Sequence, residues 1–349
     1  RTFKVPVQHV FCRTMEGVCT MSRLRVGLSS ANRSGSFMNA LNTVTETVPV
    51  ACCDPNTERL NAFCERWGLK GYTDFDQMLD GEKLDLVIVA SPMQFHAPQC
   101  IAAMKAGAHV MSEVPATVSL DECWNLLATV KETGKKYMMA ENYCYMRHVV
   151  LVKAMAEAGL FGEMYYAEGA YIHDVRALHK NPDGSPTWRV TWQVGRNGVT
   201  YPTHSLGPCI QWMKERVKFL SCLGTGVHTV PSYVNEDTTV MLCKTDKNNL
   251  INIRLDMVSN RPHIMNYYSL QGTKGCYEAA RAEGEPHRVW LEDHAKDRNT
   301  WQSLWDFEPE FMPEIWRNPP EEAKKAGHGG GDYFVVREFV DSILNDTKP

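Results

Sequence analysis

The sequence lacks the features that define several large classes of protein. No apolar run approaches the roughly 20 residues that span a bilayer. There is no long run of lysine or arginine, and the formal net charge is −4. We therefore expect no membrane span and no nucleic-acid partner, because both usually leave a mark in the pattern of apolar or basic residues.

Paired cysteine spacings are also missing. The chain has 12 cysteines, yet none form a CxxC pair and none cluster with histidines at zinc-finger spacing. Cys52 and Cys53 are adjacent within an apolar run, where buried thiols are common. We predict free, reduced thiols, no metal site and a cytoplasmic location.

The first 20 residues lack the continuous apolar core of a secretory signal peptide. The chain begins at Arg1, and a regular pattern starts only near Met21. Its 349 residues exceed the size at which single cores stop growing. We predict an extension at residues 1–21, a first domain over 22–145 and a second over 146–349.

The first half of the chain alternates short apolar runs with segments of helical spacing. Such alternation is typical of parallel strands joined by right-handed helical crossovers. It predicts a doubly wound Rossmann sheet, whose ligands bind at the carboxyl ends of the strands. The predicted strands are residues 24–28, 48–54, 84–90, 109–112 and 136–140.

The loop after the first strand resembles a degraded phosphate-binding fingerprint. Where GxGxxG is usual, residues 30–35 read Ser-Ala-Asn-Arg-Ser-Gly. Only Gly35 is kept, but Ser30 is small and Asn32 tolerates a positive φ better than most residues. Taken alone, the segment could equally be a polar loop without a ligand.

Asp54 strengthens the fingerprint. It ends the second strand, where a carboxylate can accept hydrogen bonds from the ribose hydroxyls of NAD. No arginine follows until Arg59, and a 2′-phosphate would meet a negative charge, so NAD is favoured over NADP. The alternative, compatible role for Asp54 is to cap the following helix.

The second half shows longer strands. Residues 164–173, 219–226, 238–244, 249–256 and 266–272 predict a mainly antiparallel open sheet, with a tight turn at 271–275. The fold class is therefore α/β, with an N-terminal Rossmann domain and a C-terminal α/β domain. Because one face of such a sheet is left uncovered, we expect a homodimer or homotetramer.

Motifs at the later strand ends closely resemble the Gfo/Idh/MocA oxidoreductase family. They are residues 72–75 (YTDF), 91–96 (SPMQFH) and 105–115 (KAGAHVMSEVP). Dehydrogenases of that family carry Glu-Lys-Pro where this chain has Glu113-Val114-Pro115, and their lysine handles the proton of the substrate hydroxyl. Since valine cannot exchange a proton, that chemistry must come from elsewhere or be absent.

Motifs of the second half look like glycoside hydrolase family 109 and its neighbours. They are residues 141–145, 171–174, 187–189, 201–208 and 327–333. The resemblance implies a bound NAD and a redox-neutral hydrolysis: oxidation at sugar C3, elimination of the C1 group, hydration and re-reduction. Two alternatives are a net dehydrogenase of a sugar, inositol or polyol, and a non-catalytic NAD-binding regulator.

The resemblance and the fingerprint together assign the site residues. His204 is the predicted acid/base, Tyr201 shares its pocket, and Tyr171 is the predicted base for the C2 proton. A tyrosine has an ordinary pKa of about 10, so Tyr171 would need a neighbouring cation such as Arg189. The predicted substrate ligands are Glu141, Arg189 and His328. The predicted cofactor ligands are Ser30, Asn32, Arg33, Gly35, Asp54, Ser91, Pro92, His96, Glu113 and Asn142.

Structural roles are the alternatives for these side chains. His204 could merely cap a helix opened by Gly207 and Pro208, and the tyrosines could be ordinary half-buried sheet residues. His173 and Asp174 suggest a catalytic dyad or half a metal site, but no third ligand has suitable spacing. For that pair a structural role is the favoured expectation.

Overall fold

The computed structural model describes residues 23–349, so the predicted extension at residues 1–21 lies outside the described residues. The first sheet has six parallel strands in the order β3-β2-β1-β4-β5-β6. This is the predicted doubly wound sheet. Its strands are β1 Leu24–Ser29, β2 Thr47–Cys53, β3 Lys70–Tyr72, β4 Leu86–Val89, β5 His109–Ser112 and β6 Tyr137–Met139.

Five helices connect these strands. Asn56, Asp74 and Ser119 cap three of them by accepting a hydrogen bond from a first-turn amide, as such residues commonly do. The helices are α1 Gly35–Thr43, α2 Thr57–Trp67, α3 Phe75–Gly81, α4 His96–Lys105 and α5 Leu120–Thr133.

The second sheet has eight strands in the order β14-β13-β12-β11-β7-β10-β9-β8, and β7 and β10 form its one parallel pair. The prediction of a mainly antiparallel sheet is confirmed. Strands β12 to β14 were missed because they contain only two to four residues. The strands are β7 Met164–Ile172, β8 Val217–Gly224, β9 Thr238–Thr245, β10 Leu250–Asp256, β11 Ile264–Gly272, β12 Gly275–Glu278, β13 Arg288–Leu291 and β14 Gln302–Ser303.

Helices of the second half cover one side of this sheet and return to the first. Helix α12, the last of the chain, packs against α1, and Arg337 Nη1 donates to Glu46 Oε2 at 3.0 Å. If the chain is divided at residue 145, helix α12 of the second part packs on helix α1 of the first part. The division into two domains at residue 145 therefore stays a proposal. The helices are α6 Arg147–Glu157, α7 Arg189–Trp192, α8 Thr203–Met213, α9 Glu308–Phe311, α10 Glu314–Arg317, α11 Glu321–Lys325 and α12 Gly331–Leu344.

The edge strand β8 leaves large apolar side chains in solvent. Phe219 is 67% exposed and Leu223 is 74% exposed. An uncovered apolar strand is a common contact surface, so the homodimer or homotetramer stays a prediction. Within residues 23–349, no helix is long and apolar enough to cross a membrane.

Buried neutral histidines lead to a prediction about acid stability. Burial, reinforced by the stacked ring of His287 at 4.4 Å, lowers the pKa of His148 to about 3, and burial lowers that of His109 to about 4. The unfolded chain binds these protons near pH 6.5, whereas the folded chain resists them. The free energy of unfolding should therefore fall as pH drops from 6.5 to 4, by at most about 3 kcal/mol for His148 alone.

Urea unfolding at pH 7, 6, 5 and 4 tests this expectation. A His148→Leu variant should lose less stability between pH 6.5 and 4 than the parent, because it lacks one of the histidines whose pKa is lowered in the folded state. Replacement of the exposed His228 by leucine is the matched control and should leave the slope unchanged. Equal slopes in all three proteins would show that His148 takes up its proton equally well in the folded state.

Candidate active site

A cleft of about 880 Å³ lies along the carboxyl edge of the parallel sheet. Residues that follow β1, β2, β4 and β5 line one side of it, and residues between 177 and 189, together with Tyr201, line the other. Nucleotides bind at this edge in doubly wound sheets. Asp54, Arg189 and Tyr201 all line this one cleft.

The degraded fingerprint keeps its turn without its first glycine. Ser30 has a φ of +82°, the left-handed conformation that glycine usually supplies, at a cost of roughly 1–2 kcal/mol. Its amide donates to the Cys53 carbonyl at 2.7 Å, and the Ala31 amide donates to Asp54 at 3.0 Å. Asn32 has no positive φ, so the reason given for tolerating asparagine there was wrong. The loop leads into α1 at Gly35, whose N-terminal amides can receive a pyrophosphate.

Arg33 supplies the positive charge of this part of the cleft. Its Nε donates to Glu113 Oε1 at 2.5 Å, and an Nη atom lies 3.5 Å from Asp332 Oδ1. Val114, at the position of the family lysine, is buried beside the cleft. A guanidinium stays protonated, so Arg33 can balance charge there but cannot exchange a proton as lysine does.

Ser91, Pro92 and His96 follow β4 and line the cleft. His96 is 1% exposed, and its ring nitrogens lie 2.7 Å from the carbonyl oxygens of Pro115 and Ser91. The Ser91 hydroxyl donates to Gln99 at 2.7 Å. With both ring nitrogens close to backbone carbonyl oxygens, His96 lies between the loops after β4 and β5 and shapes the cleft through them.

Asn142 connects to the predicted substrate ligand His328. Its Nδ2 lies 3.0 Å from His328 Nδ1 and donates to Asp332 Oδ1 at 2.8 Å. Asp332, which the sequence reasoning missed, is fully buried. Burial works to raise the pKa of Asp332, but its contacts with His328 and Arg33 outweigh burial and lower it. The network links the cofactor loop to the glycine-rich segment before α12.

His204 and Glu141 form a buried pair. Nδ1 of His204 donates to Glu141 Oε1 at 2.6 Å, and the Tyr143 ring stacks on the imidazole at 4.0 Å. The carboxylate fixes the proton on Nδ1 and leaves Nε2 to exchange one. Glu141 was predicted to bind substrate, but Oε1 instead orients the histidine. Within residues 23–349, its Oε2 has no hydrogen-bond partner and keeps that capacity.

Helix α8 carries His204 in its first turn. The helix begins at Thr203, so the prediction that Gly207 and Pro208 open it was wrong. Pro208 has no N–H for the carbonyl four residues earlier, which belongs to His204. That carbonyl instead accepts a hydrogen bond from Tyr268 Oη at 2.6 Å. Tyr268 thus allows a proline inside the helix that positions the histidine.

Tyr171 and Tyr201 surround His204. Their ring centroids lie 5.4 and 5.0 Å from the imidazole, but only Tyr201 lines the cleft directly. Burial raises the pKa of Tyr171 to about 12, and the Arg189 cation opposes this only in part. Burial also raises the pKa of Tyr201 well above its usual value. Arg189 lowers the pKa of Tyr171, as expected, but burial raises that pKa by more.

His173 is the hydrogen-bond partner of Tyr171. Its Nδ1 lies 3.1 Å from the Tyr171 hydroxyl. Burial, with smaller effects from His263 and Arg189, lowers the pKa of His173 to about 4, so the ring is neutral and can accept a hydrogen bond from the phenol. Asp174 pairs with Arg176 instead, and so forms no dyad with His173. The i, i+2 spacing along a strand was the signal for this contact.

Within the described part of the chain, no three His, Cys, Asp or Glu side chains are grouped closely enough to hold a metal ion. The ten cysteines of that part are all free thiols. The titratable groups in and around the cleft are the histidines, tyrosines, carboxylates and arginines described above, and its other features match a dinucleotide. The left-handed turn at Ser30, the helix N-terminus and Asp54 fit that group.

Comparison with protein-family models gives two matches. An oxidoreductase-family model with an NAD-binding Rossmann fold matches residues 25–141. A model of the glycosyl hydrolase 109 C-terminal domain matches residues 145–239 and 225–349. Together they cover both sheets.

Curated relatives agree with these matches. A glycosyl hydrolase family 109 protein of Shewanella pealeana is 31% identical over 93% of this chain and 78% of its own length. An alpha-N-acetylgalactosaminidase of Shewanella oneidensis is 31% identical over 78% of this chain, which spans 63% of that relative.

Solved structures share the fold at lower identity. Levoglucosan dehydrogenase in complex with NADH and levoglucosan aligns with a TM-score of 0.79 at 18% identity, covering 94% of this chain and 92% of that one. Myo-inositol 2-dehydrogenase from Lactobacillus plantarum aligns with a TM-score of 0.69 at 15% identity, covering 94% and 91%.

Proposed function

The chain belongs to glycosyl hydrolase family 109, an NAD-dependent branch of the Gfo/Idh/MocA oxidoreductases, and from this premise we propose that it is a redox-neutral glycosidase. One observation carries the proposal. Two candidate proton-transfer groups lie together, and each has a hydrogen-bond partner that can orient it: Glu141 for His204 and His173 for Tyr171. A net dehydrogenase needs one base for the hydroxyl proton, whereas elimination needs a second for the proton on C2.

The proposed cofactor ligands follow the cleft from end to end. A bound NAD would supply reversible hydride transfer at sugar C3, and the resulting C3 ketone would make the C2 proton acidic. Asp54 would hold the adenosine ribose, and the amides at the start of α1 would hold the pyrophosphate. Ser91, Pro92 and Glu113 also line the cleft.

Protons move on this chain's own side chains. His204, whose Nδ1 is bonded to Glu141, takes the proton of the C3 hydroxyl at Nε2 and gives it back. Tyr171 removes the C2 proton from the sugar as a phenolate that the Arg189 cation stabilises, and when protonated its hydroxyl donates a hydrogen bond to His173 Nδ1. Tyr201 stays protonated and donates a hydrogen bond to the substrate. Glu141 Oε2 and His328 bind sugar hydroxyls.

The proposed substrate is a glycoside with a free C3 hydroxyl and a hydrogen on C2. The alpha-N-acetylgalactosaminidase relative makes an aryl α-N-acetylgalactosaminide the first substrate to test. Val114 argues against the alternative of a net dehydrogenase, because the lysine that handles the hydroxyl proton in family dehydrogenases is replaced at that position by a side chain that cannot exchange a proton.

Hydrolysis in deuterated water tests the proposal. The purified protein should release NAD on denaturation, detected by mass spectrometry. It should cleave the aryl glycoside, place deuterium on C2 of the released sugar and accumulate no NADH. Tyr171→Phe should keep the bound NAD but lose the C2 exchange.

Other outcomes decide against the glycosidase. Stoichiometric NADH without cleavage would identify a net dehydrogenase. Cleavage without deuterium at C2 would exclude elimination as the route. A protein that releases no NAD and binds none at millimolar concentration would contradict the cofactor site itself.

A further inference from the structure

The carboxylate of Asp54 is saturated with hydrogen bonds. Oδ2 accepts from the Ala31 amide at 3.0 Å and from Arg59 Nε at 3.1 Å. Oδ1 accepts from the Asn56 amide at 2.9 Å and from Arg59 Nη2 at 3.0 Å. A carboxylate has about four lone-pair sites, so none is left for a ribose hydroxyl while Arg59 stays in place.

Only one of these donors can leave. The amides of Ala31 and Asn56 are fixed by the turn at Ser30 and by the start of α2. The Arg59 side chain is 47% exposed, whereas the Asp54 side chain is 2% exposed. Both residues line the cleft. Arg59 is therefore the mobile partner of a buried, immobile carboxylate.

We propose that Arg59 is a specificity-determining residue of the cofactor site. Before the nucleotide binds, Arg59 and Asp54 form an ion pair with no net charge. NAD binds when its ribose diol replaces the guanidinium on Asp54. A 2′-phosphate is rejected because the carboxylate repels it and occupies the only nearby guanidinium on α2. The inference concerns the dinucleotide alone, so it holds or fails independently of the glycosidase reaction.

Loss of Asp54 and loss of Arg59 should affect nucleotide binding in different ways. Without the carboxylate, Arg59 is free, and a guanidinium binds phosphate oxygens through two parallel hydrogen bonds. Loss of Asp54 alone should therefore convert the site toward NADP, with no new cation introduced. Loss of Arg59 alone should leave NAD binding intact or stronger, because a competitor for the carboxylate is removed.

Equilibrium binding measures these effects without any turnover. Nucleotide-stripped protein is titrated calorimetrically with NAD and with NADP, for the parent, Asp54→Ser, Arg59→Ala and the double variant. In Asp54→Ser, the dissociation constant for NADP divided by that for NAD should fall by about 100-fold or more relative to the parent. In the double variant, most of the gain in NADP affinity should disappear.

Arg66→Ala is the matched control, since it removes the same charge from the same helix and contacts Trp67 rather than Asp54. It should leave both affinities unchanged. Arg59→Ala keeps the carboxylate and changes a half-exposed residue, so it tests the proposal even if Asp54→Ser folds poorly. A roughly tenfold loss of NAD affinity in Arg59→Ala would overturn the proposal, as would an NADP gain that survives in the double variant.

Discussion

Replacing His204 by alanine should lower turnover of a cleaved glycoside by about 10³-fold or more while the bound NAD remains. The imidazole is oriented by a carboxylate at 2.6 Å, stacked by Tyr143 and surrounded by two tyrosines, so no water can take its place in the same geometry. Steady-state kinetics and the NAD content of the purified protein measure the two halves of this expectation.

The Glu141→Gln variant separates two effects of Glu141 on His204: its orientation of the imidazole ring and its negative charge. Glutamine can still accept the hydrogen bond from Nδ1 but cannot stabilise an imidazolium, so we expect a loss of about 10²-fold and a shift of the pH–rate profile. A merely structural glutamate would change stability but leave the profile in place.

The control for both is His228→Ala, an exposed histidine on the segment between β8 and β9. It should turn over as the parent does. If His204→Ala keeps its activity, His204 is not the acid/base. If it loses NAD together with activity, the histidine instead supports the fold around the cofactor.

The parts of the site that lie next to a predictable strand could be found from the sequence. Asp54 follows an apolar run, and His204 belongs to the block from Tyr201 to Pro208, whose resemblance is specific. The predicted fold class was confirmed because the periods of strands and helices are local properties of the sequence.

The pairings within the site could not be found in that way. Glu141 lies 63 residues from His204 along the chain, and Asn142 lies 190 residues from Asp332. Such contacts depend on how the two sheets pack, and no local pattern records them. The Arg59 contact was missed for a different reason: five residues looked too far, but the first turn of α2 brings its guanidinium back onto Asp54.

Gly169 determines how closely the helix carrying His204 approaches the sheet. It lies on β7, two residues before Tyr171. A Cβ there would lie 2.5 Å from the Ser205 carbonyl oxygen and 3.0 Å from Ser205 Cβ. The obstacle is helix backbone rather than a flexible side chain, so α8 must move away from β7. Gly169→Ala should therefore displace His204 relative to Tyr171 as well as strain the core.

We expect Gly169→Ala to lower the free energy of unfolding by about 1–3 kcal/mol, the usual cost of overpacking. Turnover should fall by about 10²-fold, because a displacement near 1 Å at a reacting group has that effect. Urea unfolding and kcat measure the two effects separately. Gly159→Ala is the control: its φ is +82° with open space around it, so it carries only a backbone cost of about 1 kcal/mol and full turnover. If Gly169→Ala is destabilised but keeps the parent kcat, the distance between helix and strand does not set the catalytic geometry, and the contact serves packing alone.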